Sequence, residues 1–243
     1  MNNNFILSAK INREEIPVNS YIKEIKAIAN LRELNFEKNI TFFVGENGTG
    51  KSTLLEGIAV AFGFNPEGGT KNFMFSTKDT HSPLKDALTL VKGISRPRDG
   101  YFLRAESFYN LATQIDEYEK DIPGYLEYYG GKSLHEQSHG ESFLSLIQNK
   151  FQGKGLYILD EPESALSPQR QLTLLYTIHE LAKQGAQFII ATHSPILLGT
   201  PGAAIISFDN GEIQEISYED TESYKITEMF INQRERLLNK LLD

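Results

Sequence analysis

The stretch Gly45-Glu46-Asn47-Gly48-Thr49-Gly50-Lys51-Ser52 matches the pattern G-x-x-x-x-G-K-[ST] at every fixed position. The apolar run Asn39–Val44 precedes it and suits a buried strand; Thr53–Phe62 follows with helical apolar spacing. In that context the glycines let the backbone wrap closely around phosphates with its N–H groups turned inward. The N-terminus of the following helix adds a favourable dipole. Lys51 supplies a positive charge for the β- and γ-phosphates of a nucleotide, and Ser52 offers its hydroxyl to Mg2+. An ordinary glycine turn before a helix does not need Lys-Ser after its last glycine.

Outward from this loop, strands alternate with helices. Gly155–Leu159 and Gln187–Ala191 read as buried strands. Between them Ser167 caps a helix with Pro168 at its first position, running to about Lys183 with Leu172, Leu174, Leu175, Ile178 and Leu181 on its apolar face. Ala204–Phe208 and Ile213–Ile216 flank Asn210-Gly211, a hairpin signal, and Thr221 to Leu242 reads as an amphipathic helix. In the first half, Phe5–Ile11 and Tyr21–Ile28 read as β-rich. Residues 64–82 read as loop, 83–95 as helix, and Tyr101–Arg104 as a short strand. The alternation predicts an α/β fold with a mainly parallel central sheet.

Composition narrows the chemistry. Among 243 residues there is no cysteine, which excludes disulfides, cysteine-ligated metal and thiol nucleophiles. Lys and Arg number 24 against 32 Asp and Glu, a net charge of −8 that disfavours a broad nucleic-acid-binding face. No apolar run approaches the roughly 20 residues that span a bilayer. The expectation is a cytoplasmic protein without a transmembrane segment.

Tyr157-Ile158-Leu159-Asp160-Glu161-Pro162 places two carboxylates where a buried strand ends. Buried charge needs a partner, and phosphate-bound Mg2+ provides one for Asp160. Glu161 is then placed to orient or deprotonate an attacking water.

Together these residues resemble the ATP-binding-cassette class of P-loop ATPases. Ser138-His139-Gly140-Glu141 is similar to that class's signature loop, with His139 where a glycine is usual. The resemblance implies that Ser138 and Gly140 contact the γ-phosphate held by an opposite subunit. The same four residues also read as a helix capping box, and both readings are compatible. Ser164-Ala165-Leu166-Ser167 stands where the class has its D-loop, with Ser167 in place of the usual aspartate. Ala191-Thr192-His193-Ser194-Pro195 places His193 like the class's switch histidine. Tyr21 is the candidate adenine-stacking aromatic, or else a half-buried strand tyrosine. No glutamine occupies the expected metal-contacting loop after Tyr101–Arg104; Glu106 is the candidate replacement, and Gln114 a second choice.

The resemblance covers nearly the whole chain and extends to a group of small bacterial ATPases predicted from sequence, of AAA/ABC type. It is carried by Phe43–Gly48, Phe102–Phe108, His135–Phe143 and Ser217–Glu222. It implies a P-loop NTPase with an N-terminal antiparallel β-subdomain and a helical subdomain at about 83–150, within one domain spanning 1–243. ATP and Mg2+ are the implied cofactors. The nucleotide-binding set is Tyr21, Gly45, Glu46, Asn47, Gly48, Thr49, Gly50, Lys51, Ser52, Thr53, Ser138, Gly140 and Glu141. The metal set is Ser52, Asp160 and Glu106, and the catalytic pair is Glu161 and His193.

The leading expectation is an ATPase that dimerises head to tail around two nucleotides and acts on a protein partner. Alternatives are the nucleotide-binding subunit of a membrane transporter, a DNA-maintenance ATPase and a defence module. Against a transporter, Ser142–Lys150 lacks the glutamine- and arginine-rich helix usual after the signature. Against long-armed DNA machines, residues 53–137 leave no room for coiled-coil arms. Arg96, Arg98 and Arg104 are a candidate partner surface.

Overall fold

The computed structural model describes residues 3–70 and 84–242. Among the described residues nine strands form two sheets. The smaller is antiparallel, with β1 (Ile6–Ile11) between β2 (Glu33–Asn35) and β4 (Leu88–Lys92). The larger comprises β3 (Ile40–Val44), β5 (Asp99–Arg104), β6 (Gly155–Asp160), β7 (Gln187–Ala191), β8 (Ala204–Ser207) and β9 (Gln214–Glu215). Its order is β5-β6-β7-β3-β8-β9, parallel except for the β8–β9 hairpin. Antiparallel N-terminal sheet, parallel central sheet and covering helices agree with the expected fold class.

Successive residues along the central strands face opposite layers. Phe43, Leu156, Ile158 and Ile189 pack on one side with α2 (Lys51–Phe62), α1 (Lys26–Asn30) and the smaller sheet. Phe42, Val44, Tyr157, Leu159, Phe188 and Ile190 face the other side. There α4 (Phe108–Asp121), α5 (His139–Lys150) and α6 (Pro168–Lys183) cover them. The central strands are thus apolar on both faces, as a covered parallel sheet requires. The remaining helices are α3 (Leu84–Ala87), α7 (Pro195–Leu198) and α8 (Glu222–Leu242).

Several expectations are corrected. Tyr21–Ile28 is not β: it forms a 3-10 turn over Tyr21–Glu24 and then enters α1. Ser20 caps that turn by accepting from the Ile22 N–H at 3.3 Å, and this local bond outweighs the β-branched composition. The helix expected at 83–95 shrinks to α3, and position 83 lies outside the described residues. Leu84, Ala87, Leu88 and Val91 mimic helical spacing. However, Leu88 and Leu90 alternate with Thr89 and Val91, and cross-strand pairing with β1 selects this period of two. Leu88–Lys92 and Asp99–Arg104 therefore belong to the sheets, and the helical layer begins at Phe108 rather than at about 83. Of the loop expected at 64–82, residues 71–82 lie outside the described residues. Leu172 is half exposed, so the buried stripe of α6 consists of Leu174, Ile178 and Ala182.

Candidate nucleotide site

Parallel pairing aligns the motif-bearing strand ends. Phe43 pairs with Ala191, Ala191 with Asp160, and Asp160 with Arg104. The loops after β3, β6 and β7 therefore leave the same edge of the sheet, where ligands of open α/β sheets bind.

The loop after β3 is shaped by glycines. Gly50 has φ 102°, and a Cβ there would lie 2.6 Å from Ile25 Cγ2 and 2.9 Å from Ile28 Cδ1. Only glycine lets α1 pack this closely beneath the start of α2. The Lys51 ammonium is folded back into the loop. It donates to the Gly45 carbonyl at 2.6 Å and the Glu46 carbonyl at 2.8 Å. Burial pushes its pKa down, while the Glu161, Asp209, Asp160 and Glu163 carboxylates act in the opposite sense.

Ser52 donates from Oγ to Asp160 Oδ1 at 2.9 Å. Burial pushes the Asp160 carboxyl up to about 6, opposed by the Ser52 bond and the Arg104 guanidinium, whose Nε lies 3.8 Å from Oδ2. Asp160 and Ser52 therefore present oxygen donors at a desolvated point beside the phosphate loop. That chemistry suits a hard cation that also takes phosphate oxygens. Among the described residues no three His, Cys, Asp or Glu side chains form a metal cluster, so phosphate and water would complete the shell. Glu106 lies 3.5 Å from Arg104 Nη2, and its side chain is 82% exposed. Gln114 donates to Glu117 within α4.

Glu161 differs sharply from its neighbour. Its φ of 49° puts a non-glycine residue in the left-handed region and turns the chain at the strand end. As a result the Asp160 side chain is 7% exposed and that of Glu161 is 45%. Glu161 Oε1 lies 3.9 Å from His193 Nε2. Tyr21, Asn47, Gly48, Gly50, Lys51, Ser52, Thr53 and Glu161 line one cleft of about 490 Å³, together with Glu24 and Ile25. Gly45, Glu46, Asn47 and His193 line a second, with the first turn of α8. Thr49 turns back within its loop and donates to the Glu46 carbonyl at 2.9 Å.

Neither cleft is lined by Ser138, Gly140 or Glu141. These lie at the start of α5, where Glu141 Oε2 accepts from the Ser138 N–H at 3.1 Å and from Oγ–H at 2.5 Å. Arg170 reaches them from α6, donating to Glu141 Oε1 at 3.1 Å and to Ser138 Oγ at 3.4 Å.

Sequence reasoning missed two braces of the site. Asp209, read only as part of a hairpin turn, accepts the Glu46 N–H at 3.0 Å and the Ser207 hydroxyl at 3.0 Å, anchoring the first turn of the phosphate loop to β8. The signal was its position directly after a strand neighbouring β3. Arg104 bridges Glu56 of α2, at 2.9 Å, to the acidic strand end.

A family model described as an AAA domain matches residues 21–88. A second, described as "AAA domain, putative AbiEii toxin, Type IV TA system", matches residues 78–199, half of the chain. The chain belongs to the AAA-domain P-loop ATPases of the ATP-binding-cassette type. A protein of Pyrococcus furiosus named as an ABC transporter ATP-binding protein is 25% identical to this ATPase over 228 residues, covering 86% of each chain. An uncharacterised ABC transporter ATP-binding protein of Haemophilus influenzae is 28% identical over 194 residues, covering 71% of each. Among solved structures, cbiO1 of Clostridium perfringens, part of the ABC transporter complex cbiONQ, aligns with TM-score 0.49 and 16% identity over 96% of this chain and 97% of that one. Among the described residues of the ATPase no helix is long and apolar enough to cross a membrane.

Proposed function

We propose that this ATPase binds Mg2+–ATP in the cleft beside the phosphate loop and works as an ATP-dependent, head-to-tail dimer that switches a protein partner. The observation that supports this best is the division of labour at the end of β6. One carboxylate is buried against Ser52, and the next is open toward the cleft and toward His193.

In this reading Lys51 exchanges its two carbonyl bonds for the β- and γ-phosphates, and the loop amides after Glu46, whose own N–H is held by Asp209, take the remaining phosphate oxygens. Tyr21 stands at the cleft wall with about half its surface exposed, placed to stack on the base. Ser52 and Asp160 hold Mg2+, which supplies charge neutralisation at the phosphates when bound. Glu161 orients the attacking water and takes its proton, and His193 contacts the γ-phosphate. Glu106, paired with Arg104 beside Asp160, is the candidate that replaces the missing glutamine on the metal side. Ser138 and Gly140 lie off their own clefts, as groups that serve a second copy's nucleotide must. The γ-phosphate then bridges two chains, and its release lets them part. The whole chain acts as one domain in the cytoplasm.

Glu161→Gln is expected to retain ATP binding and lose turnover by at least about a hundredfold. Normal hydrolysis by that variant would refute the base assignment. The names of the Pyrococcus and Haemophilus relatives favour a second reading, the nucleotide-binding subunit of a transporter. Affinity capture of Glu161→Gln with ATP separates the two, because the second requires a multi-span membrane protein in the eluate. The toxin–antitoxin wording of the matching family keeps a defence role in view, and DNA-stimulated turnover at low salt would point to nucleic acid.

A further inference from the structure

We infer that Glu163 is a positioning residue for the hydrolytic step: its carboxylate fixes the histidine loop so that His193 stands against Glu161. This rests on the proposed parts of Glu161 and His193. Glu163 lies in the 3-10 turn Pro162–Ala165 that follows the acidic pair. The left-handed Glu161 and the fixed φ of Pro162 reverse the chain there, which brings the Glu163 side chain beneath the loop after β7.

Three observations converge on that contact. Glu163 Oε1 accepts the backbone N–H of His193 at 2.6 Å, a short bond between residues 30 apart in sequence. A carboxylate acceptor makes it charge-assisted. Glu163 Oε2 is sealed from solvent without a hydrogen-bond partner, so the carboxyl is held in place at the cost of an unsatisfied oxygen. The Glu161 carboxylate stands near the His193 ring, with 3.9 Å between Oε1 and Nε2. The acidic turn therefore holds the histidine by its amide through Glu163, with Glu161 near its ring.

The rest of the loop is tied elsewhere. Ser194 donates from Oγ to Gln171 Oε1 at 2.6 Å, and its N–H goes to Thr192 Oγ1 at 3.0 Å. Among the described residues, the Glu163 bond is the direct link that joins His193 itself to the acidic turn through its backbone. An error of about 1 Å in such a placement costs on the order of a hundredfold in rate. Glu163 thus acts through His193 and touches no reacting atom.

The test is a double-mutant cycle on steady-state ATP hydrolysis by the full chain. Glu163→Ala is expected to lower kcat about tenfold or more with KM for ATP changed less than about threefold. Glu163→Gln keeps an acceptor oxygen and should recover most of that loss. In a His193→Ala background, Glu163→Ala should cost less than about a further twofold, because the group it positions is already gone. A full additional loss in that background would overturn the proposal and make Glu163 a plain structural residue. A rise in KM with unchanged kcat would overturn it as well. Unimpaired turnover by His193→Ala alone would instead bring down the reading on which it rests.

Discussion

Asp160 is a buried carboxylate at the site, 6% exposed. Burial raises its pKa from 3.8 to about 6, so the folded chain holds a proton more tightly than the unfolded one across that interval. Below pH 3.8 both states are protonated and the buried position costs nothing. As pH rises through about 6 the carboxyl must ionise in place, and stability is lost. Asp160→Asn keeps an acceptor for the Ser52 hydroxyl and removes the charge. In nucleotide-free protein at pH 8 it should stabilise the fold by about 3 kcal/mol, roughly 6–12 °C in Tm. That gain should fade as pH drops toward 4, and Mg2+-dependent hydrolysis should be lost at every pH. A Tm difference independent of pH would contradict the account. The same residue was legible in sequence as a charge at a strand end. Separate parts for Asp160 and Glu161 were read there too, but their difference in exposure was not, because it depends on the φ of 49° that only the packed turn imposes.

At the scale of elements, the phosphate loop works because α1 supports it from below. Gly50 has no room for a side chain between Ile25 and Ile28, and its φ of 102° disfavours one in any case. Gly50→Ala should cost roughly 2 kcal/mol or more in stability and abolish ATP binding. Thermal unfolding and a nucleotide-binding titration read the two effects; wild-type values in both would refute the packing argument. Elements with one dominant signal were legible from sequence. Pro168 and Ser167 start α6, and Ser167 Oγ accepts the Arg170 N–H at 3.4 Å; the run Gln187–Ala191 is β7, its limits unchanged. Elements decided by long-range pairing were not. Leu88–Lys92 becomes a strand only because β1 offers it an edge, and Tyr21–Glu24 curls because Ser20 caps it locally. Asp209 was overlooked for a related reason: its use lies in reaching a loop 163 residues away.

For the whole molecule, the strand order decides what the chain can do alone. Placing β3 between β7 and β8 gathers Lys51, Ser52, Asp160, Glu161 and His193 at one sheet edge, and sets Ser138 and Gly140 apart at the start of α5. A single chain therefore carries the cleft beside the phosphate loop without Ser138 and Gly140 in its lining. The most direct test is the solution mass of the Glu161→Gln chain, measured by light scattering with Mg2+–ATP and with Mg2+–ADP. The account predicts twice the 27.4 kDa chain mass with ATP and a single chain with ADP. A single chain in both nucleotides, under conditions where ATP is demonstrably bound, would contradict it.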